Sequence, residues 1–301
     1  MSLTSIIKAG FQKEVIDHIP NPKIKISGDC VACPLTTNYA LIGTAFDYLL
    51  RAEIKRRCSG TVEVSNIGRQ AIARAESLLG DVITEKDLVY MKKLADKYDN
   101  LKNKFLIDGV LSDEFIETII KYARLDEIYR SGKYYDVTKE VDVLDIADMK
   151  ALYSIIPKDL VKETSHVLAD TTFPKGSELV GGADVDLIID STLIDIKTTK
   201  SPFLTNYIWS QLVGYYILAD IAHEYDRDFP VIEKVGIYFS RYGKLWEIEA
   251  SYIRDNKNYV YLKDKLVHWR KRNEEYGEYS KVTFTEKLLQ WLKKYRQVNR
   301  P

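Results

Sequence analysis

Apolar positions recur at helical spacing over the first half of this chain and at strand spacing beyond about residue 165. The run from Leu41 to Arg51 is apolar on more than one face, which predicts a buried helix over residues 36–58, opening at Thr36 or Thr37. Gly68 to Leu79 reads as a short helix stopped by Gly80. Thr84-Glu-Lys-Asp87 has the form of a capping box, after which Leu88, Met91, Leu94, Tyr98, Leu101 and Phe105 share one face. Ser112 caps a second amphipathic helix, with Phe115, Ile116, Ile119, Ile120, Ala123 and Ile128 inward. Residues 65–131 therefore read as a helical insertion or subdomain within a single domain over 1–301.

A strand is expected over 134–141 and a short helix over 145–156, ended by Pro157. Strands then follow over 166–172, 178–189 and 192–199, joined by turns at Lys175-Gly176-Ser177 and Asp190-Ser191-Thr192. These hairpin connections make an antiparallel meander. Ser201 as N-cap and Pro202 at the first helical position open a helix to about Tyr225. Strands over 233–240 and 244–250 flank the Tyr242-Gly243 turn, and helices over 252–272 and 284–297 with basic polar faces close the chain. Residues 1–35 carry no single period. The mixture of helices and strands predicts an α/β fold class.

Composition narrows the partners. Of 301 residues, 44 are lysine or arginine and 44 aspartate or glutamate, so no global field draws the chain to nucleic acid. A nucleic-acid surface must then be a local patch, for which Arg51, Lys55, Lys200 and Arg241 are the candidates, or must rely on a partner protein. Cys30, Cys33 and Cys58 do not make a disulfide framework, and a reduced, cytoplasmic setting is expected. Cys30-Val-Ala-Cys33 has metal-ligand spacing but lacks the four ligands a zinc or iron–sulfur site takes, so small buried thiols are the expectation there. No apolar run approaches the ~18 residues of a membrane span, and no membrane partner is expected.

The candidate chemistry lies between Gly181 and Lys200. On strands, Asp184 and Asp186 share a face, as do Asp195 and Lys197, within otherwise β-branched, core-type sequence. Carboxylates held this close repel one another, and a cation between them removes the conflict. Oxygen ligands favour Mg2+ or Mn2+ over zinc. Two helices carry polar residues in apolar surroundings: Asp47, which either pairs with Arg51 one turn on or faces the strands, and Gln211, a mid-helix amide that needs partners.

Taken in order, Gly181-Gly-Ala-Asp184, Asp195-Ile-Lys197 and Gln211-Leu-Val-Gly-Tyr215 resemble the PD-(D/E)XK nuclease superfamily, and within it the RecB-type branch. That branch places a Gly-x-x-x-His helix before the strands. Gly43-Thr-Ala-Phe-Asp47 has this spacing, with aspartate in place of histidine. The resemblance covers roughly residues 36–58 and 166–250. It implies a restriction-endonuclease-like core, a mixed central sheet flanked by helices, and metal-dependent phosphodiester hydrolysis on DNA. It also implies that Asp184 and Asp195 bind the metal, with Asp186 an alternative or additional ligand and Asp47 or Glu53 completing the shell. Lys197 orients or helps deprotonate water and stabilises the transition state, while Gln211 and Tyr215 position substrate or the neighbouring strand. Some members of the branch hold an iron–sulfur cluster closed by C-terminal cysteines. No cysteine follows Cys58, so no such cluster is expected. The alternatives are a catalytically inactive nucleic-acid-binding or structural member of the same fold, and an oligomerising scaffold.

Overall fold

The computed structural model describes residues 2–63, 67–77, 83–131 and 136–269. The chain opens with α1 (Leu3–Ile6), a π-helical turn (Ile7–Phe11) and α2 (Gln12–His18). Next come α3 (Tyr39–Arg57), β1 (Thr61–Glu63), α4 (Ile67–Ser77), α5 (Glu85–Asp108), α6 (Asp113–Ser131) and α7 (Val143–Ser154). The second half holds β2 (Val167–Thr172), α8 (Gly176–Val180), β3 (Asp184–Ile189), β4 (Thr192–Lys197), α9 (Asn206–Tyr225), β5 (Lys234–Phe239), β6 (Lys244–Glu249), α10 (Ser251–Arg254) and α11 (Tyr259–Val267).

The six strands lie in sequence order in one mixed sheet. β2, β3 and β4 form the expected antiparallel meander, β1 joins β2 in parallel, β4 and β5 run parallel across α9, and β6 returns antiparallel to β5. Strand alternation divides the core into two layers of helices around the sheet. Ile194 and Ile196 of β4 pack with α3 to α7, whereas Leu193 packs with α9 and the N-terminal turns. β5 repeats the pattern, with Tyr238 toward α3 and Val235, Ile237 and Phe239 toward α9.

One place breaks this alternation. Ala169 pairs with Leu187, and both lie in the α3-side core. Thr171 pairs with Val185 two positions on, yet Val185 lies in the α9-side core. The residue between them on β2, Asp170, has φ of 50°, a left-handed conformation that L-residues seldom adopt in a strand. The sheet therefore rotates locally at Asp170 and Asp186.

Several expectations change. Residues 176–180 are a short helix rather than the start of a strand. The Ser177 hydroxyl accepts from the Phe173 amide and donates to the Ala183 carbonyl, which ties both ends of that loop. α9 starts at Asn206 with Thr205 as its cap, because residues 202–204 pair instead with 24–26: the Ile26 amide donates to the Pro202 carbonyl at 2.8 Å. The expected helix over 252–272 is interrupted between α10 and α11, where the Asn256 side chain accepts the Asn258 amide. Residues 136–141 form turns rather than a strand. The start of that expected strand, the end of the 252–272 helix and the 284–297 helix lie outside the described residues. The Thr84–Asp87 capping box is present, and Ser112 accepts the Phe115 amide as expected. Among the described residues no helix is long and apolar enough to cross a membrane.

Arg241 is 1% exposed and clamps three segments. Its guanidinium donates twice to Asp148 of α7, at 2.7 and 3.0 Å, and to the Ala32 carbonyl, while its own carbonyl accepts from Val31 and Ala32. The expected nucleic-acid contact at Arg241 is thus corrected to an internal ion pair. Removing one member of such a pair leaves an uncompensated buried charge. Asp148→Ala is expected to lower unfolding free energy by about 3–5 kcal/mol in urea titrations. A solvent-facing arginine would lose under ~1 kcal/mol of stability on losing such a partner.

Candidate functional site

The sheet holds β4 rigidly on one side and releases it on the other. Asp195 and Lys197 sit in the parallel ladder opposite Ile237 and Phe239 of β5. Toward β3, the ladder runs from Ile189–Thr192 only as far as Leu187–Ile194. Past that point the Ile196 amide donates to the Asp186 carboxylate at 2.6 Å, a side chain standing where a backbone partner would. The acidic residues therefore meet where the two strands part.

Asp195 is 3% exposed, and its Oδ2 lies 2.7 Å from Lys197 Nζ. This is a close ion contact whose angles do not make a directed hydrogen bond. Burial, then the charges of Asp195 and Asp47, push the Asp186 carboxyl well above the usual carboxylate range. That effect of Asp47 places the α3 carboxylate at the cluster. α3 passes the end of β4 at Gly43, where an added Cβ would stand in ordinary contact, 3.7 Å from the Thr198 Cβ. Asp184, the first residue of β3, is exposed at the rim. For Lys197, burial works against the ammonium, but Asp195 and Asp186 outweigh it and the net shift is upward. Lys197 is therefore charged at neutral pH.

α9 covers the cluster. Burial, then Asp195, Asp186 and Asp184, raise the Tyr215 phenol well above its ordinary value, so it is a neutral donor. Its ring stacks on Phe173 with centroids 5.8 Å apart. Gln211, 7% exposed, has a buried Oε1 with no hydrogen-bond partner among the described residues.

Asp186, Asp195 and Lys197 thus lie together where β3 and β4 part, with Asp47 acting on Asp186 and Asp184 on Tyr215 through their charges. Glu53 is not among them. It lies on another face of α3, its oxygens held by Arg56 and Arg57 at 2.6–2.8 Å and by the Tyr153 hydroxyl, which corrects its expected role as a ligand. Arg51 is also corrected from a phosphate contact. It is 5% exposed, ion-paired to Asp47 at 2.8 Å and to Asp170 at 2.9 Å. Lys55 is half-buried near Glu63 and Lys102, whose titrations it influences. Lys200 is exposed at the end of β4, its carbonyl accepting from Tyr242. Asp170 was not anticipated. An acid in an apolar strand was its only signal, and strict alternation would turn it away from α3.

Cys30 and Cys33 lie beside each other on the loop that Arg241 holds. Burial and the Cys33 thiol push the Cys30 thiol up to about 11. Cys58 is buried apart from them by its own contact, donating to the Ser165 carbonyl at 2.8 Å. A cavity of about 560 Å³ opens between the start of α3 and α6, lined by Thr44, Arg124 and Asp126 but by none of the clustered acids.

Among the described residues no three carboxylate, thiol or imidazole groups already converge on one point as an ion would require. Lys197 stands on Asp195 instead. In chemistry the donors fit a hard divalent cation. They are all oxygen, Gln211 Oε1 is an orphaned acceptor, and Asp186 is raised by burial and then by its acidic neighbours, both of which a bound cation offsets. Scans of protein-family models, of curated proteins and of solved structures found no match to this chain.

The sign of the Asp186 shift gives a stability test. Its folded carboxyl titrates above the unfolded one. Ionised Asp186 therefore destabilises the metal-free fold as pH rises from the ordinary carboxylate range through the folded value, and contributes nothing below both. Asp186→Asn still accepts the Ile196 amide. It is expected to raise the melting temperature in EDTA at about pH 8, by roughly 2–4 °C for each kcal/mol gained, with the gain vanishing near pH 4. A gain that persists unchanged at the acid end would show that repulsion is not its source.

Proposed function

We propose that this chain is a divalent-metal-dependent phosphodiesterase acting on nucleic acid, a nuclease of the PD-(D/E)XK kind with a restriction-endonuclease-like core. The observation that carries the reading is the meeting of Asp195 and Lys197 on β4 with Asp186 where β3 and β4 part, with Asp47 of α3 acting on Asp186 and Tyr215 of α9 lying in the field of the strand carboxylates. The sheet supports it too, with a meander leading into a parallel β4–β5 pair that one helix connects.

Asp184, Asp186 and Asp195, with one oxygen of Asp47, would hold Mg2+ or Mn2+. The bound cation supplies Lewis-acid polarisation of the phosphodiester and a more acidic attacking water. The chain's own groups do the rest. Lys197, an ammonium whose pKa Asp195 and Asp186 raise against burial in the metal-free chain, would donate to the charge that grows on the phosphoryl oxygens and orient or help deprotonate the attacking water. Tyr215 remains protonated and donates to substrate or to the strand carboxylates. Gln211 presents an unpaired carbonyl oxygen to a water or a substrate hydrogen. Lys200, exposed beyond Lys197, would meet the phosphate backbone.

The test is cleavage of single-stranded, duplex and branched DNA, and of RNA, with Mg2+ or Mn2+. Wild type is expected to cut. Lys197→Ala and Asp195→Ala are each expected to lose about 10²–10³-fold or more in rate while melting cooperatively. Full activity in both variants defeats the mechanism. A wild type that binds nucleic acid but never cuts, with Lys197 still on Asp195 in saturating Mn2+, supports the inactive binding member instead.

A further inference from the structure

Arg51 is buried against Asp47, the α3 carboxylate that acts on Asp186. Its Nη2 lies 2.8 Å from Asp47 Oδ2 and its Nη1 2.9 Å from Asp170 Oδ2, so one guanidinium bridges two carboxylates from different elements. The Tyr48 ring packs beneath it, 4.7 Å from centroid to guanidinium carbon, and the Tyr48 hydroxyl is itself fixed by donation to Asp126 at 2.6 Å. The arginine cannot swing out to solvent, and a guanidinium does not lose its proton in a protein.

Bridging two carboxylates in a buried site is also what a second divalent ion would do. In two-metal hydrolases the ions stand about 3.5–4 Å apart and share a carboxylate between them. Here the carboxylate that would be shared, Asp47, already gives Oδ2 to Arg51. Asp170 meets that arginine from a left-handed backbone, a costly conformation that persists where surrounding contacts enforce it. Charge points the same way: a guanidinium already fixed between Asp47 and Asp170 repels a second divalent ion at that position.

We infer that Arg51 is a built-in counter-cation that limits the cluster to one divalent ion by occupying the bridging position between Asp47 and Asp170. Arg51 is a positioning residue here, touching neither substrate nor metal. The inference rests on the cluster being a metal site, not on hydrolysis.

Isothermal titration of Mn2+ into the full chain, with electron paramagnetic resonance counting free Mn2+, reads the stoichiometry. Wild type is expected to take one ion and Arg51→Met two, and Mn2+ should raise the melting temperature of Arg51→Met more than that of wild type. Arg51→Lys, which keeps a cation, should stay at one. Arg51→Met combined with Asp170→Asn should return to one, because the second bridging carboxylate is gone. If Arg51→Met is unfolded without metal, Mn2+ should restore its circular dichroism. Two ions on wild type, one on Arg51→Met, or no recovery of an unfolded Arg51→Met in millimolar Mn2+ overturns the inference while leaving the metal site standing. No ion on wild type overturns both.

Discussion

Carboxylates crowded into a partly dry gap in a sheet repel one another, and the arrangement around them answers that repulsion. Lys197 lies on Asp195, the Ile196 amide turns from the ladder to Asp186, Arg51 grips Asp47, and the Tyr215 phenol stays neutral beside three acids. The apolar residues between these positions fix the geometry. Ile194 and Ile196 anchor β4 to one helical layer and Leu193 to the other, so the charged side chains cannot move apart by sliding the strand.

Much of this was legible in sequence because it is local. The β3–β4 hairpin, the Thr84 capping box and the apolar α9 each depend on residues a few positions apart. What escaped depends on distant partners. Arg51 and Arg241 read as basic surface residues because the acids that bury them, Asp170 and Asp148, lie far along the chain. Of the two readings of Asp47, the pair with Arg51 is present, and the same carboxylate also acts on Asp186 through its charge. The left-handed backbone at Asp170 leaves no pattern in the residue types around it. The interruption before α11 and the late start of α9 were missed for a related reason. Helical propensity continues through both places, and side-chain caps and a two-strand contact with residues 24–26 decide the outcome.

The candidate chemistry is divided between two kinds of support. Asp195, Lys197, Gln211 and Tyr215 belong to one β4–α9–β5 unit, whose parallel ladder and crossover helix set their spacing rigidly. Asp47 and Arg51 come from α3, which packs with the helical layer of α4 to α7 and touches the strands through Gly43.

That division has a consequence for how the molecule forms. Contacts within β4–α9–β5 close short loops, whereas bringing α3 to β3 closes a loop that contains the whole helical layer. Long loops close late, because their entropy is lost before their contacts repay it. Loop-closure entropy therefore favours docking α3 after the β4–α9–β5 unit, and a chain opened in its helical layer would lose Asp47 and Arg51 from the cluster before Asp195 and Lys197.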